Sequence, residues 1–263
     1  MSDFNRNVAT TPFGQTIGRA GTVAVDEGLR AYMLRIYNYM VLGLAITGLA
    51  ALGTYMLSVT TDPSLAALKL RDGVMLTAFG KAIFVSPLKW AVILAPLALV
   101  FVISFGIERL RPALAQGLFW LFAALMGLSL ASIFLVFTHT SIVRVFFITA
   151  ASFGALSLYG YTTQRDLTGL GSFLIMGLFG VVLASLVNLF LQAPMLQWIV
   201  SIVGVLVFAG LTAYDTQRLK NDYIYATMDG EAAERSSIMG ALSLYLNFIN
   251  LFTLLLQLLG QRD

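Results

Sequence analysis

The sequence predicts an all-α integral membrane protein, built as a bundle of seven helices. Of its 263 residues, 59% are hydrophobic and only 11% are charged, and the mean hydropathy is +0.86. A soluble domain is typically about 45–50% apolar and about 25% charged. The composition therefore excludes a water-soluble globular enzyme and a disordered protein. Seven long apolar stretches account for the excess of hydrophobic residues.

Each apolar stretch is long enough to cross a hydrocarbon core of about 30 Å, which takes about 20 residues of helix. Six of the stretches contain no Asp, Glu, Lys or Arg, and the fourth has only Arg144 near its start, where a long side chain can reach the interface. None shows the two-residue alternation of a membrane β-barrel. The predicted spans are Ile36–Val59, Trp90–Gly106, Ala113–Phe137, Ile142–Tyr161, Ser172–Leu191, Pro194–Ala213 and Ile238–Leu259.

Residues 1–35 are predicted to form a polar N-terminal arm ahead of the seven-helix domain, residues 36–261. The arm lacks the apolar core and small-residue cleavage site of a signal peptide, so a cleavable signal is not expected. Asp26–Arg35 is expected to form an amphipathic helix that leads into the first span. The longest connector, Thr60–Lys89, contains the apolar run Gly73–Val85, which is too short to span the membrane.

Lys and Arg residues are divided unequally between the two sides of a seven-span topology. The side that carries the N-terminus has ten of them and the other side has six. Because cytoplasmic loops carry the excess of positive charge, we expect the N-terminus in the cytoplasm and the C-terminus outside. The net charge of +3 is spread over loops. Such a distribution suits a membrane surface better than nucleic acid, so the lipid bilayer is an expected partner and nucleic acid is not.

The residue types of most enzyme and metal sites are missing. There is no Cys and a single His, His139, which excludes disulfides, thiolate zinc sites and Cys nucleophiles and leaves little room for a His-based site. The sequence also lacks zinc-protease, phosphate-loop and serine-elbow motifs. We therefore expect neither an enzymatic activity nor a bound cofactor.

Two acidic residues adjoin predicted spans: Glu108 after the second and Asp215 after the sixth. A carboxylate at the edge of the hydrocarbon is costly unless it faces the bundle interior, a water-filled cavity or a cation. Asp215 therefore has two interpretations, a proton or cation site, or an interfacial residue paired with Arg218 three residues later. For Glu108, flanked by Arg109 and Arg111, the interfacial interpretation is favoured.

The last span carries polar residues on one helical face. Ser243 and Asn247 are four residues apart, and Asn247 and Asn250 are three apart, so these side chains face into protein. Interhelical contacts of this kind contribute about 0.6–2 kcal/mol each. Asn188 in the fifth span has the same interpretation. Packing is the default role, and a pore lining is the alternative.

Three segments carry a resemblance to a known family. The segments are Phe153–Thr163 running into Arg165–Leu167, Ala213–Gln217, and Ala241–Phe252. The sequence resembles the Bax-inhibitor-like family, also called the transmembrane Bax inhibitor motif family, in its bacterial form, from about Leu34 to Leu259. The resemblance implies seven helices with the last one central, and a pH-sensitive calcium leak.

In that family the pH response is attributed to two facing carboxylates, one ending the sixth helix and one within the seventh. The first corresponds to Asp215 and the second to Asn247, so this chain lacks the second acid. Two close carboxylates share a proton, whereas an Asp–Asn pair has one titratable group. We therefore expect a weaker pH response. The resemblance also implies a basic partner for Asp215 near the end of the second helix, Arg109 being the first candidate and Arg111 the second.

These expectations combine into a passive, Ca²⁺-permeable pathway. Asp215 would attract the ion, Arg109 would hold Asp215 in the closed state, and Asn247 and Asn250 would lie beside it. One carboxylate with amide and hydroxyl oxygens makes a weak Ca²⁺ site, since Ca²⁺ takes six to eight oxygen ligands. Ca²⁺ or protons are the expected partners, in a bacterial inner membrane. The alternative is a membrane interaction protein that uses the arm to modulate a quality-control protease or a stress or cell-death partner.

Overall fold

The computed structural model describes the backbone of residues 13–71, 74–226 and 230–262, and the side chains of residues 27–70, 74–223 and 230–262. Within this part of the chain, seven helices are long and apolar enough to cross a membrane. The predicted all-α membrane bundle is thereby confirmed. The spans are Glu27–Ser58, Leu88–Gly106, Pro112–Val136, His139–Thr162, Thr168–Leu191, Pro194–Tyr223 and Gly230–Leu259.

The helices extend beyond several predicted span boundaries, because polar turns continue the helices outside the apolar stretches. The helix α1 runs without a break across the predicted boundary at residue 35, and it includes the expected amphipathic segment. The side chains of residues 1–26 lie outside the described residues. The bounds are α1 Phe13–Ser58, α2 Ala78–Phe84, α3 Leu88–Gly106, α4 Pro112–Leu130, α5 Ile133–Val136, α6 His139–Thr162, α7 Thr168–Leu191, α8 Pro194–Ala226 and α9 Gly230–Leu259. The third span consists of α4 and α5 together.

The last helix, α9, is the centre of the bundle, as the family resemblance implies. It packs against α1, α4, α6 and α8. In its most apolar stretch 56% of the residues are buried, against 11–39% in the other six spans. Tyr245 at its middle is fully buried, with its ring against Phe119 and Phe122 of α4 and its hydroxyl 2.6 Å from Oγ1 of Thr47 in α1. Because α9 lies at the centre, its polar face is surrounded by other helices of the bundle.

The connector between the first two spans contains a small antiparallel sheet that the sequence did not predict. Its strands are β1 (Val59–Thr60), β2 (Leu68–Arg71) and β3 (Val74–Leu76), in the order β1-β3-β2. Strands of two to four residues are too short for alternation to be recognised in a sequence. The apolar run after residue 73 does not span the membrane, as expected. Instead it forms β3 and the short helix α2, whose first turn is capped by Oγ1 of Thr77, which accepts from the Gly80 amide at 3.1 Å.

The connections divide between the two ends of the bundle. We call "arm end" the end where α3 and α6 finish and α4 and α7 begin, and "sheet end" the opposite end, which carries the small sheet. The C-terminus lies at the sheet end, where the Gln261 carbonyl accepts from the Thr138 amide at 3.0 Å. The first span therefore begins at the arm end and the last span finishes at the sheet end, on opposite sides of the bundle.

Candidate functional site

Asp215 lies inside the bundle, on the side of α8 that faces α9. Its exposed fraction is 6%, and two side chains of α9 donate hydrogen bonds to the same carboxylate oxygen. Ser243 Oγ lies 2.9 Å and Asn247 Nδ2 lies 2.7 Å from Oδ2 of Asp215. Hydrogen bonds that a carboxylate accepts are among the stronger ones in proteins. The site therefore holds a buried negative charge that α9 stabilises.

Helical geometry explains how α9 supplies both donors. Ser243 and Asn247 are one turn apart on the same face, and α8 and α9 pack side by side in opposite directions. The structure thus brings Asp215, Ser243 and Asn247 together, as the spacing and the resemblance predict. Asn250, the third member of the predicted face, is not part of this contact, since its Nδ2 donates to the Leu246 carbonyl of its own helix at 2.8 Å.

The other carboxylate oxygen of Asp215 faces a cation. Nη1 of Arg218 lies 3.5 Å from Oδ1, and the Arg218 side chain is 43% exposed. Arg218 also lies 4.0 Å from Oδ2 of Asp222, one turn further along α8 and 49% exposed. The buried carboxylate is therefore connected through one arginine to the surface at the arm end.

Arg109 does not occupy the position expected for the partner of Asp215. It lies exposed in the turn after α3, and within the described side chains the ion pair of Asp215 is made by Arg218. The apolar sequence of α3 fixes no register against α8, whereas Arg218 is held near Asp215 by the helix they share. Arg111 and Glu108 are likewise exposed, which agrees with the interfacial interpretation of Glu108.

A cavity of about 260 Å³ adjoins this group between α3, α8 and α9. Arg218 and Ser243, which both contact Asp215, are part of its wall, together with Ser104 of α3 and Asp222. The cavity offers a route between the arm end and the neighbourhood of the carboxylate.

The arrangement presents Asp215 with hydrogen-bond donors and a cation. Among the described residues no group of three or more His, Asp or Glu side chains could hold a metal ion. A cation that approaches Asp215 would have to take the place of Arg218, and the hydroxyl oxygen of Ser243 and, after rotation of its amide group, the amide oxygen of Asn247 are the neutral oxygens nearby. One carboxylate and two neutral oxygens leave most positions around Ca²⁺ to water, which makes a weak site.

The residues next to Asp215 tie α8 to the arm-end loop between α6 and α7, a role that the sequence alone did not indicate. Gln217 is buried, its Nε2 donates to the Arg165 carbonyl at 2.7 Å, and its Oε1 accepts from the Leu167 amide at 2.8 Å. In the same loop, hydrogen bonds from the side chain and the backbone amide of Thr168 hold the pKa of Asp166 below its usual value. Gln217 belongs to the segment Ala213–Gln217 that carried the resemblance, which was the available signal.

The helix α6 approaches the back of the Asp215 turn closely because of a glycine. A Cβ atom at Gly160 would lie 2.2 Å from the Ala213 carbonyl oxygen, so only glycine allows this approach. A chain of hydroxyl groups follows: Oγ of Ser157 lies 3.0 Å from Oγ1 of Thr216 and 2.6 Å from the Tyr37 hydroxyl of α1. The turn of α8 that carries Asp215 is therefore fixed from two sides.

Comparison with known proteins matches most of this chain to one family and to several relatives. The profile of the family described as "Inhibitor of apoptosis-promoting Bax1" matches residues 29–263. Inner membrane protein YbhL of Escherichia coli (strain K12) is 46% identical over 236 residues, which cover 89% of this chain and 93% of YbhL. An uncharacterized protein of Rickettsia prowazekii is 44% identical over 262 residues, covering 100% of this chain and 99% of its own. A protein of Caulobacter vibrioides is 42% identical over 260 residues, or 99% and 98% of the two chains.

Proposed function

Because the chain belongs to the Bax-inhibitor-like family of multi-pass membrane proteins, we propose that it forms a passive cation pathway, permeable to Ca²⁺, in which Asp215 attracts and admits the ion. The observation that carries the proposal is the environment of Asp215. This carboxylate is buried between membrane-spanning helices, and its cationic partner Arg218 is half exposed beside a polar cavity. An ionisable group inside a membrane bundle indicates an ion or proton pathway by default.

The closed state is the arrangement in which Arg218 neutralises Asp215. Arg218 can leave Asp215 for water, because its own side chain is 43% exposed and the hydrogen bonds from Ser243 and Asn247 continue to stabilise the carboxylate. Asp215 itself cannot follow it, since α9 holds Oδ2 through Ser243 and Asn247. A cation then replaces Arg218 as the counter-ion, and weak coordination allows it to move on, as a conducting site requires.

The wall of the cavity that opens is α3. This helix packs against α2 and α4, and only 11% of its most apolar stretch is buried. Its Ser104 faces Arg218 and Ser243 across the cavity. Movement of α3 away from α8 and α9 widens the route without breaking the contacts of α9 with α1, α4 and α8.

We expect the cation flux through this pathway to respond only weakly to pH near neutrality. The site around Asp215 contains one carboxylate, whereas relatives with two acids have a coupled pair. The neighbouring Asn247 carries an amide, which does not titrate. The arm end, with most of the Lys and Arg residues, is placed on the cytoplasmic side by the positive-inside rule. The membrane is the bacterial inner membrane, as the name of the YbhL relative suggests.

The test is Ca²⁺ entry into proteoliposomes that contain the full chain and an enclosed Ca²⁺ indicator. Asp215→Asn keeps the shape of the side chain and removes its charge, and we expect it to lower the initial rate at least tenfold. Asp222→Asn is the matched control, because Asp222 faces the same arginine from the surface, and its rate stays within about threefold of the unmodified protein.

Equal rates for Asp215→Asn and the unmodified protein would contradict the proposal. Absence of flux from every variant would instead favour the alternative of a protein that modulates a protease. Deletion of residues 1–26 separates the two functions, because a pathway within the bundle conducts without the arm.

A further inference from the structure

A second site lies on the opposite side of the bundle, in a groove between α1 and α6. A cavity of about 500 Å³ begins at Arg30 and Tyr161 at the arm end and reaches Met40 and Phe153. It opens sideways, where the exposed fractions of Leu34 and Leu158 on its rim are 50% and 63%. We propose that this groove binds one anionic phospholipid, with the phosphate at Arg30 and an acyl chain against α1 and α6.

The groove has the length of one leaflet. Arg30 and Met40 are ten residues apart on α1, which corresponds to about 15 Å along a helix that rises 1.5 Å per residue. Half of a hydrocarbon core of about 30 Å has the same depth. A phospholipid whose headgroup is at the arm-end surface therefore has its chain inside the cavity. Beyond Met40 and Phe153 the groove continues into a second cavity of about 700 Å³, so a long chain is not blocked.

The groove has room for an acyl chain. A volume of about 500 Å³ is spread over a length of about 15 Å, and the groove is open along one side, so an acyl chain can enter it from the surrounding lipid.

The floor of the groove is compatible with hydrocarbon although it contains hydroxyl groups. Thr216 Oγ1 donates to the Thr212 carbonyl at 2.8 Å, so Ser157 donates to Thr216 and Tyr37 donates to Ser157. The hydroxyl protons of Tyr37, Ser157 and Thr216 are therefore all donated to acceptors within the protein. An acyl chain therefore covers Tyr37 and Ser157 without leaving a donor unsatisfied.

The headgroup end of the groove is positively charged. No ion pair of Arg30 is formed with any acidic side chain in the described residues, Glu27 included. Lys220 contacts Tyr161 of the cavity wall, since its Nζ donates to the Tyr161 carbonyl at 2.8 Å and lies 5.6 Å from the centre of the Tyr161 ring. Cations at the membrane surface attract anionic lipids, and this charge distinguishes the site from an ordinary lipid-facing groove.

The test is native mass spectrometry of the purified full chain with phosphatidylglycerol and phosphatidylcholine of identical acyl chains. The unmodified protein is expected to retain one phosphatidylglycerol in preference to phosphatidylcholine. Arg30→Gln reduces that preference about fivefold. Arg35→Gln, which removes an exposed charge of α1 outside the cavity, leaves the preference unchanged.

A steric variant tests the groove itself. Gly154 is part of the cavity wall, and a Cβ atom there would meet nothing within 4 Å, so Gly154→Leu fills the groove without disturbing the helix. We expect it to lower the retention of both lipids at least fivefold. Gly180→Leu is the control, because Gly180 on α7 is equally open, and thermal unfolding checks that both variants are folded.

Three outcomes would overturn the proposal. Equal retention of the two lipids by the unmodified protein would mean a groove filled by bulk lipid. Equal losses in Arg30→Gln and Arg35→Gln would mean a general surface charge. Retention by Gly154→Leu as strong as by Gly180→Leu would place the lipid elsewhere.

Discussion

The interface between α8 and α9 carries polar groups at both ends, and the two ends differ in charge. At the arm end the carboxylate of Asp215 meets Ser243 and Asn247. At the sheet end a group that we call the amide cluster joins α7, α8 and α9 through neutral side chains only. The amide cluster consists of Asn188, Gln197, Ser201 and Gln257.

The bonds of the amide cluster close on one another. Asn188 Nδ2 donates to Gln197 Oε1 at 2.9 Å, Gln197 Nε2 donates to Gln257 Oε1, and Ser201 Oγ lies 3.0 Å from the same oxygen. Asn188 Oδ1 accepts from the Ala193 amide at 3.0 Å, which fixes the turn between α7 and α8. This network needs nothing from outside, and it matches the packing role that the sequence predicted for Asn188.

The difference shows how a polar contact between membrane helices becomes a site. Both ends have short hydrogen bonds between side chains of different helices, so hydrogen bonding does not distinguish them. Asp215 has in addition a net charge and a partner, Arg218, that reaches water. A group whose counter-ion can leave is able to exchange it for another cation, whereas the amide cluster has nothing to exchange.

The largest effect is expected from placing a charge in the amide cluster. Asn188→Asp buries a carboxylate at the C-terminal end of α7, where the helix dipole disfavours it and no described cation forms a pair with the residue. We expect a loss of about 2–3 kcal/mol in the free energy of unfolding, since a buried unpaired charge is costly. Chemical unfolding in detergent measures it. An unchanged stability together with a faster Ca²⁺ flux would show that the sheet end is also an ion site.

A smaller effect is expected from removing one hydroxyl group at each end. Ser243→Ala takes away one of two donors to Asp215 and should cost about 1 kcal/mol. Ser201→Ala should cost about 0.6 kcal/mol, because Gln257 Oε1 keeps the bond from Gln197. The two variants are compared by the same unfolding experiment. A larger cost for Ser201→Ala would contradict this order and would mean that the hydroxyl group contributes more to stability at the neutral end.

The smallest effect on stability is expected at Arg218. Arg218→Gln removes the half-exposed partner of Asp215 and leaves the hydrogen bonds from Ser243 and Asn247 in place, so the free energy of unfolding should fall by less than about 1 kcal/mol. Ca²⁺ flux should rise two- to threefold, because Asp215 loses the cation that competes with Ca²⁺. A flux as low as that of Asp215→Asn would mean that Arg218 belongs to the conducting state and does not close it.

Sequence reasoning reached the parts of this site that depend on one helix. The spacing of Ser243 and Asn247 places them on one face of α9, and the spacing of Asp215 and Arg218 places them within reach of each other on α8. Both arrangements follow from the geometry of a single helix. In this structure Asp215 pairs with Arg218, and Arg109 is exposed in the turn after α3. A contact between Arg109 and Asp215 would depend on the register of two helices, which the apolar sequence of α3 does not reveal. The small sheet was not predicted, because its strands are too short for an alternating pattern to be recognised.

The groove between α1 and α6 was also beyond sequence reasoning. The groove exists because α1 and α6 both pack against α9 and leave a gap between them. The gap is lined by ordinary lipid-facing residues such as Leu34 and Gly154. Nothing in their spacing distinguishes them from residues that face bulk lipid. Only the arrangement of the helices shows that Arg30 stands at the end of a leaflet-long cavity.

The most direct test of the account is the pH dependence of Ca²⁺ flux in proteoliposomes at pH 6, 7 and 8, for the unmodified protein and Asn247→Asp. We expect the flux of the unmodified protein to change by less than about threefold over this range. For Asn247→Asp we expect a change of about tenfold or more, because two carboxylates in contact compete for one proton. A steep transition in the unmodified protein that persists in Asp215→Asn would contradict the account, since another group would then control the pathway.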